Sequence, residues 1–400
     1  MLSQKEYIVI RGHGSISPLG HNQNLVAKAY KTATPTFGKR IYQHMVTPVG
    51  ALSEVAENFL KVLKQEKKNY QSVDRSVLLA IIAARQAVAA AGWLSDSEVA
   101  INIGSSRGAT ELFENYLTEY LTTGQVPAPT SPVTTLGNIS SWVANDLQTN
   151  GPVVSHSVTC STTLQAIANG FAWLKSGMAT RFLAGGAEAP LTPFTIAQMK
   201  AIGIYSQDQE PTIPCRPLNE EKKNTFVLGE GAAIFALEKV SAAELNNSSH
   251  PPIIIESVGF ATEAIPSKTG LSKDGQHFQK AIRNALQQAE NTQPIDLIIL
   301  HAPGTVAGDA AEIRALQAVF GENNLPPLTS NKWLIGHTLG ASAAFSLEYA
   351  IHLLQHLAPL SFPYPCFLNN KPFTAVNRIL ILAAGFGGNA AAVILSSGKS

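Results

Sequence analysis

The sequence predicts an α/β protein made of two matching halves. Three observations carry this prediction. Short apolar strands alternate with helical patterns along the chain, which argues for sheets with largely parallel strands. The order of elements after residue 253 repeats the order before residue 240, in layout though not in residue identity. In each half one helix is apolar on nearly every side, as a helix enclosed between sheets must be. A chain of 400 residues has room for such a duplication. With 45% apolar and 14% charged residues, most of the chain must be buried in a core or at a subunit interface. A formal net charge of +1 gives no reason to expect a nucleic-acid binder.

The first half begins with a strand, Tyr7 to Arg11, ending in a glycine-rich turn from Gly12 to Gly20. Residues 22–49 are polar and mixed and read as surface. Glu54 to Lys64 and Ser72 to Ala91 follow helical periods, and Gly92 stops the second. Glu98 to Ile103 is a strand, Glu111 to Leu121 a helix, residues 122–135 a loop rich in Thr, Pro and Gly, and Ile139 to Asn145 a short helix. A strand at Pro152-Val153-Val154 approaches Val158-Thr159-Cys160-Ser161-Thr162-Thr163. Beyond it Leu164, Ile167, Ala168, Phe171 and Leu174 line one side of a helix. Arg181 to Glu188 is a strand running into a double-glycine bend. Residues 207–224 form a long loop, Ala232 to Glu238 a strand, and residues 241–250 a linker. The halves are therefore expected at 1–250 and 251–400.

In the second half, Ile253 to Phe260 answers to the first strand and His277 to Glu290 to the helix ending at Ala91. Asp296 to Leu300 answers to Glu98 to Gly104. Ala310 to Phe320 is a helix. Asn331 to Gly340 opens a very apolar helix, Ala341 to Leu354, in the place of the helix after Cys160. Arg378 to Ala384 and Ala390 to Leu395 close the chain around Gly385-Phe386-Gly387-Gly388.

Chemistry centres on Cys160, placed where a strand turns into a helix. Hydroxyl residues at the helix start, free backbone N–H groups and the positive end of the helix dipole favour thiolate there. Taken alone, Cys160 reads equally well as a small core residue. His337 stands at the equivalent point of the second half, His301 ends a strand in a glycine-containing turn, Lys332 precedes His337 by five residues, and Glu312 lies on the helix after His301. The other eight histidines have no comparable setting. A cysteine nucleophile needs donors for an oxyanion, and the amides of Cys160 and of Phe386 in its glycine bend could supply them. A metal site from Cys160, His301 and His337 is the rival chemistry, but no close-spaced ligand pair supports it, and no metal is expected. The cysteines are Cys160, Cys215 and Cys366, and their odd count and spacing argue against a disulfide framework. The first ten residues lead into no signal-peptide core, and no apolar stretch reaches about 18 residues. The expectation is a cytoplasmic protein off the membrane.

Five segments in this order resemble the β-ketoacyl-[acyl-carrier-protein] synthases. They are Cys160 with its following helix, Ala184-Gly185-Gly186-Ala187-Glu188, and His301-Ala302-Pro303-Gly304-Thr305. Then come Asn331-Lys332 with Gly336-His337-Thr338-Leu339-Gly340-Ala341, and Gly385-Phe386-Gly387-Gly388. The resemblance runs from about Tyr7 to Leu395. It implies the thiolase fold, a duplicated α-β-α-β-α layered sandwich, and a decarboxylating Claisen condensation. Cys160 would carry an acyl chain as a thioester. His301 and His337 would promote decarboxylation of a malonyl group and stabilise its enolate. Lys332, paired with Glu312, would hold the electrostatics. The Cys160 and Phe386 amides would form the oxyanion hole, and the Phe386 side chain would gate the site. Thr305 would bind the pantetheine arm, with Gly387 and Gly388 beside the substrate.

The resemblance further implies acyl carrier protein as partner, no cofactor beyond the carrier's phosphopantetheine, and a dimer of like chains or of a synthase with a chain-length-factor subunit. Three departures stand out. Ala302 and Pro303 replace the family's Gly and Thr after the first histidine, Thr159 precedes the nucleophile where Ala is usual, and Asn389 follows Gly388 where Thr is common. They suggest a specialised member, in polyketide, polyene or aryl-polyene pigment synthesis rather than housekeeping fatty acid synthesis. A catalytically silent partner subunit is the competing reading.

Overall fold

The structure is a computed structural model that describes residues 5–93, 98–136, 138–208, 212–246, 252–265, 271–355, 358–367 and 376–398. The first half holds strands β1 (Glu6–Ile16), β2 (Gly38–Tyr42), β3 (Met45–Val49), β4 (Ala100–Gly104), β5 (Val153–Val154), β6 (Arg181–Glu188) and β7 (Gly231–Ser241). Its helices are α1 (Gln23–Thr32), α2 (Glu54–Glu66), α3 (Arg75–Ala91), α4 (Thr110–Thr123), α5 (Thr130–Thr134), α6 (Asn138–Leu147), α7 (Thr162–Ser176), α8 (Pro193–Ala201) and the short α9 (Ala242–Asn246). The second half holds β8 (Ile253–Thr262), β9 (Leu297–Ile299), β10 (Leu328–Thr329), β11 (Arg378–Gly385) and β12 (Asn389–Ser397). Its helices are α10 (Gln276–Gln288), α11 (Val306–Phe320), α12 (Lys332–Ile335) and α13 (Ser342–Leu354).

The sheet order is β10-β9-β11-β12-β8-β1-β7-β6-β4-β5, with β2 and β3 a separate hairpin. The halves meet where β1 pairs with β8. Counting outward from that seam, each half lays down its own strands in the same order: first, fifth, fourth, second, third. Pairing directions match as well, antiparallel at β7·β1 and β12·β8 and parallel at β4·β6 and β9·β11. This is the layered α/β arrangement expected from the repeat. The expectation of largely parallel strands is corrected: five of the nine pairings in this sheet are antiparallel. Strand direction leaves no mark on sequences this uniformly apolar, because both faces are covered either way. The expected junction at residues 250 and 251 lies outside the described residues.

Two helices fill the middle. α13 is buried along its whole length, and α7 packs against both α13 and strands of each half. One apolar cluster runs through them, from Leu164 and Ile167 on α7 to Phe345, Leu347 and Ile351 on α13. The outer helices lie very close to the two seam strands. On β1 a methyl group at Gly12 would meet the Ala91 nitrogen of α3 at 2.5 Å; on β8 one at Gly259 would meet the Ala281 oxygen of α10 at 2.2 Å. Glycine is thus required at the matching point of each half.

Several local expectations change. Residues 22–49 are not simply surface. They fold as α1, capped by Asn22 accepting from the Leu25 amide at 3.0 Å, and as the β2–β3 hairpin. β1 continues through Gly12 and Gly14 after a bulge near Ile10, so the glycines belong to a strand rather than a turn. Gly185 and Gly186 likewise lie inside β6 instead of bending it, because a side chain at Gly185 would strike the Ala233 carbonyl at 2.3 Å. Among the described residues no helix is long and apolar enough to cross a membrane.

If the seam glycines set the helix–sheet spacing, Gly12→Ala and Gly259→Ala will each cost about 2 kcal/mol, the usual scale of core overpacking. Gly38→Ala, where no atom lies within 4 Å of the added methyl, will change stability by less than about 0.5 kcal/mol. Urea unfolding followed by circular dichroism of the three variants is the measurement.

Candidate active site

The two central helices begin at the same place. Thr163 near the start of α7 donates through Oγ1 to the Gly340 carbonyl just before α13, at 2.6 Å. Gly186 of β6 lies between them, too close to the Ala341 Cα to carry a side chain. Cys160 precedes α7 in a tight turn, with Thr159 at φ 51° and the Ser161 amide bonded back to the Val158 carbonyl. A non-glycine residue at positive φ is strained and persists only where the surroundings hold it.

The holding contacts come from the β11–β12 turn. Thr159 Oγ1 lies 3.2 Å from the Phe386 carbonyl. Asn389 Nδ2 donates to that carbonyl at 2.9 Å and to Thr159 Oγ1 at 3.3 Å, and Asn389 Oδ1 accepts from the Ser161 hydroxyl at 2.5 Å. Two of the sequence departures, Thr159 and Asn389, are therefore partners in one network across the turns. Gly387 and Gly388 take φ 94° and 73°, which the tight turn requires. Phe386 is 38% exposed at its tip. Among the described residues the backbone N–H groups of Cys160 and Phe386 donate no hydrogen bond, so both are free for an incoming oxygen.

The histidines stand together. The rings of His301 and His337 are 5.3 Å apart, edge to face. His337 hangs from a backbone pairing with the β7 approach, its amide donating to the Val227 carbonyl at 2.7 Å. Its Nδ1 accepts from the Leu339 amide at 3.0 Å. That bond requires an unprotonated Nδ1, so the neutral ring carries its proton on Nε2. Burial, helped by the positive charge of Lys332, holds both imidazoles well below the usual histidine range. Both are neutral N–H donors at physiological pH. Cys160 belongs to the apolar cluster that also contains Leu339, Phe226 and Leu228, which places the thiol beside the His337 segment.

Glu312 does not pair with Lys332 as expected. Its two oxygens accept the His301 and Ala302 amides, each at 2.7 Å, and no ion pair joins it to Lys332 within 4.0 Å. The Lys332 ammonium instead lies 3.4 Å from the Leu300 carbonyl. The two charges still feel each other through the buried site. Burial pushes Glu312 up to about 7 and Lys332 down to about 8, and each opposes the other's shift. Physically, a carboxylate flanked by two backbone donors satisfies its lone pairs without an ammonium, and its work is to hold the His301 turn. That turn needs holding, because Ala302 sits at φ 22° where the family has glycine.

Thr305 caps α11, its hydroxyl accepting the Gly308 amide at 3.3 Å, and remains partly exposed. Two buried carboxylates escaped the sequence reading. Asp309 accepts the amides of Leu218, Gly304 and Thr305 at 2.7, 3.1 and 3.3 Å. Glu188, at the end of β6, accepts the Ser106 amide and the Gly340 amide. The signal was available: an acidic residue inside a strand of apolar and small residues has to be bonded to something.

The thiol departs from expectation. α7 starts only at Thr162, and Cys160 is 9% exposed. Burial pushes the thiol up to about 12, with Glu188 adding to the rise and Lys332 and Arg107 opposing it. Desolvation outweighs the helix end, so the free enzyme holds a neutral thiol at pH 7. The raised pKa predicts that iodoacetamide alkylation of Cys160 will climb about tenfold per pH unit from about pH 7 to 10 without a plateau. Peptide mass spectrometry would read this, and levelling below about pH 8 would show that the helix end dominates instead.

The description "Beta-ketoacyl synthase, N-terminal domain" matches residues 8–243, and "Beta-ketoacyl synthase, C-terminal domain" matches residues 253–359. The tetracenomycin polyketide synthase ketoacyl synthase alpha subunit of Streptomyces glaucescens is 30% identical over 355 residues, 82% of each chain. The 3-oxoacyl-[acyl-carrier-protein] synthase 2 of Staphylococcus aureus is 28% identical over 98% of this chain and 99% of its own. In fold, the ishigamide ketosynthase/chain length factor superposes with a TM-score of 0.83 at 21% identity, covering 98% of this chain and 99% of its own. The chain belongs to the β-ketoacyl synthase family and has its thiolase-like α/β fold.

Proposed function

We propose that this chain is an active condensing enzyme that extends an acyl chain with a malonyl unit, both delivered on acyl carrier protein. The observation that supports this most is the joint one at the seam: a buried cysteine whose own amide and that of Phe386 are free among the described residues, and two neutral imidazoles standing together, each carrying one N–H donor. An acyl group passes from the carrier's phosphopantetheine sulfur to Cys160 Sγ, and the carrier thiol leaves. Malonyl carrier protein follows and loses CO2, the electron pair of the broken C–C bond going into an enolate. His337 Nε2–H and His301 donate hydrogen bonds to the enolate oxygen. Its carbon attacks the Cys160 thioester carbonyl, whose oxygen is held by the Cys160 and Phe386 amides. The C–S bond breaks, and the β-ketoacyl product leaves on the carrier. Burial, with the charge of Lys332 acting in the same direction, keeps both imidazoles neutral, while Glu312 and Asp309 position the His301 turn. Thr305 has its hydroxyl proton left to donate to pantetheine.

The subunit arrangement follows from exposed apolar surface. α4 buries no residue and exposes Phe113, Leu117, Tyr120 and Leu121, and β5 leaves Val153 and Val154 on the open edge of the sheet. An exposed apolar helix face and an unpaired apolar strand edge are each surfaces that a subunit interface would cover. The partner is a second copy or a related subunit, as in the ishigamide ketosynthase/chain length factor. Departures at Ala302, Pro303, Thr159 and Asn389 support a specialised role in polyketide or polyene synthesis, aryl-polyene pigments included.

Intact mass after incubation with a panel of acyl carrier proteins tests the reaction. Wild type gains one acyl group and Cys160→Ala gains none. His301→Ala and His337→Ala still acylate but lose condensation by about 100-fold or more. No acylation with any carrier, alone or with candidate partner subunits, would establish the silent-subunit reading. For the assembly, Phe113→Asp with Leu121→Glu shifts the particle from dimer to monomer in light scattering, while an unchanged mass would move the interface elsewhere.

A further inference from the structure

The proposed reaction leaves one buried cluster without a role. β1 brings His13 into the interior, opposite Phe235 of β7. α13 brings Glu348 and His352 to the same point; at i and i+4 they share one helix face. One ligating atom from each of the three lies within 4.8 Å of the others. His13, Glu348 and His352 are 6%, 0% and 6% exposed.

All three are unsatisfied. Among the described residues His13 Nε2, Glu348 Oε2 and His352 Nε2 have no hydrogen-bond partner, and no lysine or arginine forms an ion pair with Glu348. A buried polar atom left without a partner loses the hydrogen bonds it made to water and gains none in return. Three such atoms converging at one point, two of them imidazole nitrogens, call for a common explanation. The surroundings also orient them. Ser15 donates its hydroxyl to the other carboxylate oxygen, Oε1, which leaves Oε2 facing the rings. The ring of Phe235 stacks on His13 at 6.2 Å, Tyr30 packs on His352 at 5.5 Å, and the two imidazoles stand edge to face at 5.9 Å.

We propose that His13, Glu348 and His352 bind a divalent transition-metal ion of the zinc class, as a clamp between β1 and the central helix α13. Two imidazoles and a carboxylate are a donor set that zinc accepts, whereas calcium and magnesium require oxygen shells. The buried imidazoles are neutral, which leaves a lone pair for a metal. Bonds of about 2.0–2.2 Å would set tetrahedral ligand atoms about 3.3 Å apart, so the three side chains rotate inward on binding. Ser15 then acts as the outer partner that fixes the carboxylate. The site is separate from the condensing centre. Among the described residues Cys160, His301 and His337 do not converge to metal-binding distance.

The test uses the full-length chain without a polyhistidine tag, stripped with dipicolinate and titrated with Zn2+ and then Co2+. Wild type and Cys160→Ala should each take up about one ion per chain, with a visible Co2+ spectrum of tetrahedral type and a raised thermal midpoint. Ser15→Ala should weaken binding about tenfold. His13→Gln, Glu348→Gln and His352→Gln should each weaken it further. Should a ligand variant fail to fold, wild type decides alone: no uptake and no shift of its midpoint with micromolar Zn2+ overturns the proposal. So does binding lost in Cys160→Ala but kept in His13→Gln with His352→Gln.

Discussion

The candidate site depends on how closely Gly385 approaches the Cys160 turn. A methyl on Gly385 would lie 1.9 Å from Thr159 Oγ1 and 2.8 Å from the Cys160 nitrogen. Only glycine lets the end of β11, from the second half, rest on the turn that opens α7, from the first. That contact brings the Phe386 amide beside the Cys160 amide. It also supplies the restraint for Thr159, whose positive φ would relax without the hydrogen bonds from Asn389 and to Phe386. The Cys160 turn is therefore shaped by the half of the chain that does not contain it.

Electrostatics at the seam are governed by burial more than by pairing. Lys332, Glu312, Asp309 and Glu188 are all nearly inaccessible, yet no two of them form an ion pair. Each carboxylate accepts backbone N–H groups, which bind it without the cost of burying a second charge. Lys332 is left as the one positive charge acting on both imidazoles, and its field works in the same direction as desolvation. Two neutral imidazoles result.

Much of this was legible in the sequence, and what was not has physical reasons. The strands from Arg181 and Arg378, the helices ending at Ala91 and Leu354, and the repeat itself show through because apolar periodicity is strong where both faces are covered. Cys160, His301 and His337 were legible from their places at element ends. The run from residue 22 to 49 was not, because α1 buries only Val26 and Tyr30, and apart from the exposed Leu25 its other positions are polar or small. Strand direction was hidden because parallel and antiparallel strands bury alike. The resemblance paired Glu312 with Lys332; the two charges act on each other without a direct ion pair, and Glu312 is held by backbone amides, which leave no trace in side-chain identity. His13 and His352 looked idle because their partners are distant in sequence or on a single helix without a motif.

The duplication itself gives the strongest argument about the buried triad. α13 meets β1 where Glu348 and His352 contact Ser15 and His13, and in the other half α7 packs against β8. There Leu164, Ile167 and Leu174 of α7 share one apolar cluster with Ile255 and Val258 of β8. α7 carries no histidine and no carboxylate. Apolar residues would close the α13–β1 contact at lower cost than two imidazoles and a carboxyl. A polar cluster that the architecture does not need and leaves unsatisfied is accounted for by something that occupies it, and a coordinated cation would turn the least favourable contact of the central layer into a fixed point for α13, the helix whose first turn follows His337.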